Sequence, residues 1–328
     1  MIYVTATGNG ANVTVQNVTG TALDPGVIGK QRGRFLYAYM ASAIAVTHCT
    51  MTGVSFGVSI QDSTLTTLSI SNNVASDMED RASDGAGDLT TQRPLKGHFV
   101  LIDSSIATNG GDISWNQVIN TPGNSSVEDV IDMYLSHGVS SKTIKIHDNY
   151  LQGISSPANV SNDYTGSGID MDGASNDMQT ATGFVAIYNN QIVHTANVGI
   201  GINSGHDISA NNNSIVSCGK DSSGSWIATN YAVGISLWNA HNSSVFFNNS
   251  ISGTSGGLVR PDRSESPSIA DIWTPNASES LNVIVGVNNF TDPCMVNDAQ
   301  TTNPESNAFT QWTAKVSAAT QMIGVQAN

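Results

Sequence analysis

Residues 144–151 read Ile-Lys-Ile-His-Asp-Asn-Tyr-Leu, and much of the chain repeats their pattern. Ile144 and Ile146 alternate with Lys145 and His147, as in a short strand with one buried face. Asn149 follows, and Leu151 resumes the apolar series. The order apolar-x-apolar-x-x-Asn-x-apolar returns at Val185, Ile187, Asn190, Ile192, at Ile208, Ala210, Asn213, Ile215, and at Val283, Val285, Asn288, Phe290. Looser copies surround Asn72/Asn73, Asn116 and Asn249, and Cys49 takes the Asn position in Ile44, Val46, Cys49, Met51. Asn tolerates left-handed backbone angles and bonds its own backbone, so it is expected to turn the chain. One strand and a turn cannot bury a face alone, but stacked copies can. The intervals 149→190→213→249→288 are 41, 23, 36 and 39 residues, as expected of coils that carry loop insertions.

A second strand family precedes the first in each coil. It comprises Phe35-Leu36-Tyr37, Val58-Ser59-Ile60, Phe99-Val100-Leu101, Ile131-Asp132-Met133, Ile169-Asp170-Met171, Ile200-Gly201-Ile202 and Ile235-Ser236-Leu237. Two families predict two stacked sheets. The fold expectation is therefore all-β: a right-handed single-stranded parallel β-helix over residues 1–290. Residues 291–328 form a tail in which Phe309, Trp312, Val316 and Ala319 fall at helical spacing. One short C-terminal α-helix is expected there, packed on the last coils and covering their open strand edges.

Composition sets limits on partners. The chain has 328 residues and a formal net charge of −14, which argues against nucleic acid and anionic membrane surfaces. No apolar stretch approaches the ~18 residues of a membrane span. The N-terminus has no basic region followed by an apolar run, so no signal peptide is visible. Cys49, Cys218 and Cys294 are odd in number and lack motif spacing, so no disulfide is expected. The run Asp77-Met78-Glu79-Asp80-Arg81 reads as a solvated loop.

Side chains alternate along a strand, so the middle positions of the second family should face outward. One outward column is expected to read Leu36, Ser59, Val100, Asp132, Asp170, Gly201, Ser236. The next should read Ala38, Gln61, Ile102, Tyr134, Asp172, Asn203, Trp238. Arg34, His98, Arg32, Lys96 and Glu128 flank them, and alternation would turn Asp129 inward. Coils lie ~4.8 Å apart and residues i and i+2 ~6.7 Å apart, which places Asp132, Asp170 and Asp172 roughly 5–9 Å from one another. Glycosidase carboxylate pairs span that range. Crowding would keep one carboxyl protonated as a general acid, and Tyr134 and Trp238 offer flat faces to sugar rings. The same oxygens could instead hold calcium, with Lys96, Arg32 or Arg34 as a base.

The Ile/Val-x-Ile-x-x-Asn ladder, the coil lengths and the terminal helix resemble the pectin-lyase-like superfamily of right-handed parallel β-helices. The segments SSVEDVIDMY, GSGIDMDG, VGIGINSGHD and VGISLWNA are most similar to bacterial β-helix-repeat proteins. The order of acidic groups resembles that of polygalacturonases, which share this fold. That resemblance implies catalytic roles for Asp132, Asp170, Asp172 and His206, with Arg260 as the basic group. It departs from the family in Met171, which splits the Asp pair, and in Asp207, which stands where a glycine is expected. The expected activity is glycoside hydrolysis of a polysaccharide without a cofactor, by a secreted or cell-surface protein. Tyr134, Asn203, Trp238, Arg34, His98, Lys96, Glu128 and Arg260 would then contact the sugar. The alternatives are a calcium-assisted polysaccharide lyase, with Asp132, Asp170 and Asp172 as ligands, and a non-catalytic glycan-binding adhesin. A monomer is expected for an enzyme and a trimer for an adhesin.

Overall fold

A computed structural model describes residues 1–6, 10–87, 89–90, 96–121, 123–154, 165–218, 232–258, 269–273, 282–285, 288–289 and 304–326. Each turn of the chain lays down three strands in the same order. Like strands of successive turns pair in parallel, in sheets of nine, ten and nine strands. The first sheet runs from Ile2–Thr5 through Leu36–Tyr39, Val58–Gln61, Val100–Asp103, Asp129–Tyr134, Ser167–Asp172, Val198–Ile202 and Ala232–Leu237 to Ile269–Trp273. The chain is a parallel β-helix. A small antiparallel pair, Ala82–Ser83 with Leu89–Thr90, stands outside the three sheets.

Three sheets rather than two arise because the quoted pattern contains a corner. Ile144–His147 belongs to the second sheet and Tyr150–Ile154 to the third, with Asn149 between them. The Asn side chains form a buried ladder along this corner. Asn73, Asn116, Asn149 and Asn190 each donate Nδ2–H to Oδ1 of the next Asn, ending at Asn213, over 2.9–3.0 Å. Each also bonds a carbonyl of the preceding coil, as Asn149 does with Ile113 at 2.9 Å. Cys49 opens the row, its amide donating to Asn73 Oδ1, and Thr254 continues it beyond Asn213. Asn249 lies off this row: its Oδ1 receives the Ile208 amide and its Nδ2 donates to the Gly205 carbonyl. Asn288 pairs with Ser255, one residue past the ladder position.

The ladder Asn is not the residue that turns the chain. The residue before it takes the left-handed backbone: Asn72, Trp115, Asp148, Asn189 and Asn212 have φ between 52° and 59°. The bend frees the next amide and carboxamide for coil-to-coil bonds. A serine row does the same between the first and second sheets. Ala41, Ser63 and Ser105 donate backbone N–H to the hydroxyls of Ser63, Ser105 and Ser136 at 2.9–3.0 Å. Left-handed Met40, Asp62, Ser104 and Leu135 precede them. The interior is a continuous stack of Ile, Val, Leu and Met, including Val58, Val100, Ile131, Ile169, Ile200 and Ile235. Each such side chain contributes about 1.5–3 kcal/mol by leaving water.

The C-terminal helix, Pro304–Ala318, lies along the side of the solenoid rather than on its last coils. Ala308 and Trp312 pack on Tyr150 and Val193 of the third sheet, and Trp312 Nε1 donates to the Asp148 carbonyl at 2.8 Å. Lys315 reaches the Asn189 carbonyl at 2.7 Å and the Asp148 carboxylate at 2.5 Å. The tail then runs back toward the first coils, where Gly324 donates to the Asn72 carbonyl and Gln326 to Asn17 Oδ1. Strand protection at the solenoid end is therefore not what this helix supplies. The expected Asp77–Arg81 loop is also corrected. Glu79 and Asp80 are fully buried, Glu79 pairs with Arg81, and Asp80 Oδ2 accepts the Lys96 amide at 2.7 Å. Cys218 is disulfide-bonded, against the expectation from cysteine spacing.

Replacing Asn149 with Ala strands Asn116, Ile113 and Asn190 groups in a dry corner, each worth about 1–3 kcal/mol when left unpartnered. Chemical denaturation should show a loss of at least ~3 kcal/mol. His147, on the outer face of the second sheet, bonds Asp112 at 3.0 Å and Asp148 at 2.6 Å. Burial alone would lower its pKa, but these two carboxylates override it and raise the value to about 9. The stabilisation is complete below pH ~6.5, the unfolded value, and is lost as pH rises through about 9. A His147→Gln variant should therefore melt below wild type at pH 6 and converge on it by pH 10.

Candidate functional site

The outward face of the first sheet carries the acidic groups, in a register set by backbone pairing. Tyr37, Ser59, Leu101, Asp132, Asp170, Gly201 and Ser236 form one outward column. Tyr39, Gln61, Asp103, Tyr134 and Asp172 form the next. The column expected to hold Leu36 and Val100 thus holds Tyr37 and Leu101. Ala38 and Ile102 likewise give way to Tyr39 and Asp103. All four displaced residues are buried in the core. Phe35 and Phe99 occupy the corner before the strand, so the alternating segment starts one residue later there, and a one-residue slip exchanges the faces. Val130, fully buried, fills the same corner position. It interrupts the alternation, so Asp129 lines the groove with Asp132 instead of pointing into the core.

These columns floor a cavity of about 410 Å³. Arg34, Lys96, His98, Glu128, Asp129, Asp132, Tyr134 and Asp172 all line it, with Asp103, which the sequence reading missed. Arg34 lies over the Phe56 ring at 4.1 Å and the Tyr37 ring at 5.2 Å. Gln31 and Lys96 border the cavity, and the buried Asp80 bonds both.

At its centre, His98 Nδ1 lies 3.1 Å from the Asp129 carbonyl, and Nε2 lies 3.6 Å from Glu128 Oε2. Burial works to lower the His98 pKa, but the Glu128 bond and the charges of Asp132 and Asp129 raise it to about 9. Burial first, then the Glu128 charge, raises Asp129 to about 7. Asp132 is held well above the carboxylate range, mainly by burial. Asp129 Oδ1 and Asp132 Oδ1 are buried without a hydrogen-bond partner. One donor atom each from His98, Asp129 and Asp132 lies within 4.8 Å of the others, close enough to share a cation.

The other expected site residues are placed in different ways. Asp170 sits beside Asp132 but is roofed over: Asn203 donates to Asp170 at 2.8 Å, and Ser236 donates to Asn203 at 2.8 Å. This chain crosses Gly201, where a Cβ would come within 2.4 Å of Asp170 Oδ1. Asn203 therefore positions Asp170. Asp172, at the rim, contacts His241 Nε2 at 2.6 Å, and no sequence signal tied that histidine to it. Trp238 packs on Trp273 with ring centroids 4.9 Å apart, farther along the face. His206 does not join the acids. It is fully buried in the second sheet, bonded to Asp207 at 2.6 Å and set between Phe184 and Phe247. Arg260 lies outside the described residues.

No protein-family model, curated protein or solved structure matches this chain. No described helix is long and apolar enough to cross a membrane.

A buried carboxylate without a partner opposes folding, and replacing it by an uncharged isostere relieves that cost. In chelator at pH 8, Asp132→Asn should raise Tm by at least ~2 °C, while Asp172→Asn at the rim should leave it nearly unchanged. An Asp132→Asn variant that melts below wild type would mean that the carboxylate is stabilised by contacts the geometry does not reveal.

Proposed function

We propose that the chain is an extracellular glycoside hydrolase of the pectin-lyase-like type, acting on a polysaccharide laid along the first sheet. The observation that carries this is the contrast between two carboxyls on adjacent rungs of one cavity. Asp132 is buried and raised toward its protonated form, while Asp172 stands at the rim against His241. In this reading Asp132 gives its proton to the glycosidic oxygen as general acid. Asp172, oriented by His241, takes a proton from the attacking water. They are diagonal neighbours, one rung and two residues apart, so roughly 8 Å separates their Cα atoms. Cα atoms that far apart are compatible with a carboxyl separation that admits a water, the inverting arrangement. Tyr134 lies between them and offers a ring face to the sugar, with Arg34 and Lys96 at one end and Trp238 at the other. The disulfide at Cys218 supports export to an oxidising compartment. A monomer suffices, because the groove is built by one chain.

A second reading is cation-assisted elimination, favoured by the unpartnered oxygens of Asp129 and Asp132 beside His98. Arg34 or Lys96 would then serve as the base.

Wild type, Asp132→Asn and Asp172→Asn should be compared on a panel of neutral and acidic polysaccharides, following reducing ends and ultraviolet absorbance with and without chelator. The hydrolase reading expects chelator-insensitive reducing ends from wild type and a loss of about 10²–10⁴-fold in each variant. Unsaturated product that vanishes with chelator would select elimination. Glycan retention without turnover, unchanged by removing Asp132, Asp170 and Asp172, would make the groove a binding surface. Wild-type turnover by Asp132→Asn would remove that residue from the mechanism.

A further inference from the structure

We infer that the groove contains a site for one divalent transition-metal ion, with His98, Asp129 and Asp132 as its protein ligands. The three come from neighbouring rungs, His98 just ahead of the strand Val100–Asp103 and both aspartates on the strand Asp129–Tyr134. Their donor atoms lie within 4.8 Å of one another. Acidic side chains often cluster on a protein surface, but these are 5% and 7% exposed, and Asp129 Oδ1 and Asp132 Oδ1 have no partner. Two such oxygens beside an imidazole, in a cavity open to solvent, form an incomplete coordination sphere.

The histidine is oriented for this role. Its Nδ1 is occupied by the Asp129 carbonyl at 3.1 Å. A histidine that donates one ring N–H to a carbonyl presents the other nitrogen as a lone pair, which is how protein second shells fix metal-binding tautomers. Here that nitrogen is Nε2, which faces the Glu128 carboxylate at 3.6 Å and would exchange that partner for the ion. A different His–carboxylate cluster in the same molecule shows the contrast. Around His147 every carboxylate oxygen of Asp112 and Asp148 already has a partner, in His147, Ser114 or Lys315, and none is left over to hold an ion.

The imidazole biases the site toward zinc and its neighbours. Calcium takes six to eight oxygens in flexible geometry and has no use for an imidazole, whereas a nitrogen donor beside carboxylates is the ligand that a transition metal such as zinc prefers. Three protein ligands and an open position are the arrangement of catalytic zinc centres. The inference goes beyond the hydrolase reading and needs no substrate. A coordinated Asp132 has no proton to give, so bound metal and general acid are alternative states of one residue.

The test is calorimetric titration of the chelator-stripped full-length chain with zinc chloride, and separately with calcium chloride, alongside thermal melts. One equivalent of zinc should bind wild type, at least ~10-fold more tightly than calcium, and raise Tm by mass action. His98→Gln and Asp132→Asn, checked for native circular dichroism, should each weaken zinc binding by at least ~10-fold, and His147→Gln should not. Asp129→Asn serves if either variant fails to fold. Absence of zinc binding to wild type, zinc binding unchanged in the His98 and Asp132 variants, or calcium binding as tight as zinc would each overturn the proposal.

Discussion

Everything on the outer face depends on the carboxamide ladder inside the corner. An asparagine side chain has one acceptor and two donor hydrogens. In Asn149 the acceptor serves the coil before, and the donors reach forward to Asn190 and back to Ile113. Such a row has no tolerance for slippage, because a shift of one residue would strand several buried groups at once. The corner therefore fixes how each coil sits on the next, whatever the length of the loops between. The inserted segments that make the coils unequal leave the strands in register.

That register is what places the carboxyls side by side. In a parallel stack, like positions on successive coils become lateral neighbours, so Asp132 and Asp170 face the same solvent strip a single rung apart. The solenoid does not separate them; it concentrates them and then answers the concentration in two ways. Asp170 is satisfied by Asn203 and Ser236, and Gly201 leaves the space for that bridge. Asp129 and Asp132 face His98 with one oxygen each left without a partner, which leaves the centre of the groove chemically unfinished.

The sequence was legible where a periodic constraint repeats, and illegible where a single local event breaks the period. Alternation identified the strands, and the recurrence of Asn identified the coil. Assigning the left-handed bend to the ladder Asn failed, because the neighbouring residue performs it and can be a Trp or Asp. Three consecutive apolar residues at 35–37 and 99–101 hid the corner phenylalanines, and with them the true outward members Tyr37, Tyr39, Leu101 and Asp103. Asp129 was misread for the same reason, with Val130 as the corner residue. Asp132, Asp170, Asp172 and Tyr134 face outward as expected, because Ile131 and Met133, and Ile169 and Met171, alternate with them as unambiguous inward residues. His206 followed the order of groups in a resembling family. The Asp172–His241 contact joins residues 69 positions apart through a loop, and no periodicity predicts it.

The path of the C-terminal segment bears on how the molecule is made. A solenoid can in principle zip up from its first turns as the polypeptide emerges, since every coil needs only its predecessor. Here the last residues return to the first: Gln321 binds Asn72, 249 positions earlier, and Gln326 binds Asn17, 309 positions earlier. The side of the third sheet, with Tyr150 and Val193, stays bare until Trp312 has been synthesised. Early turns must wait with that apolar strip uncovered until the helix Pro304–Ala318 arrives, so that segment clasps a stack already built.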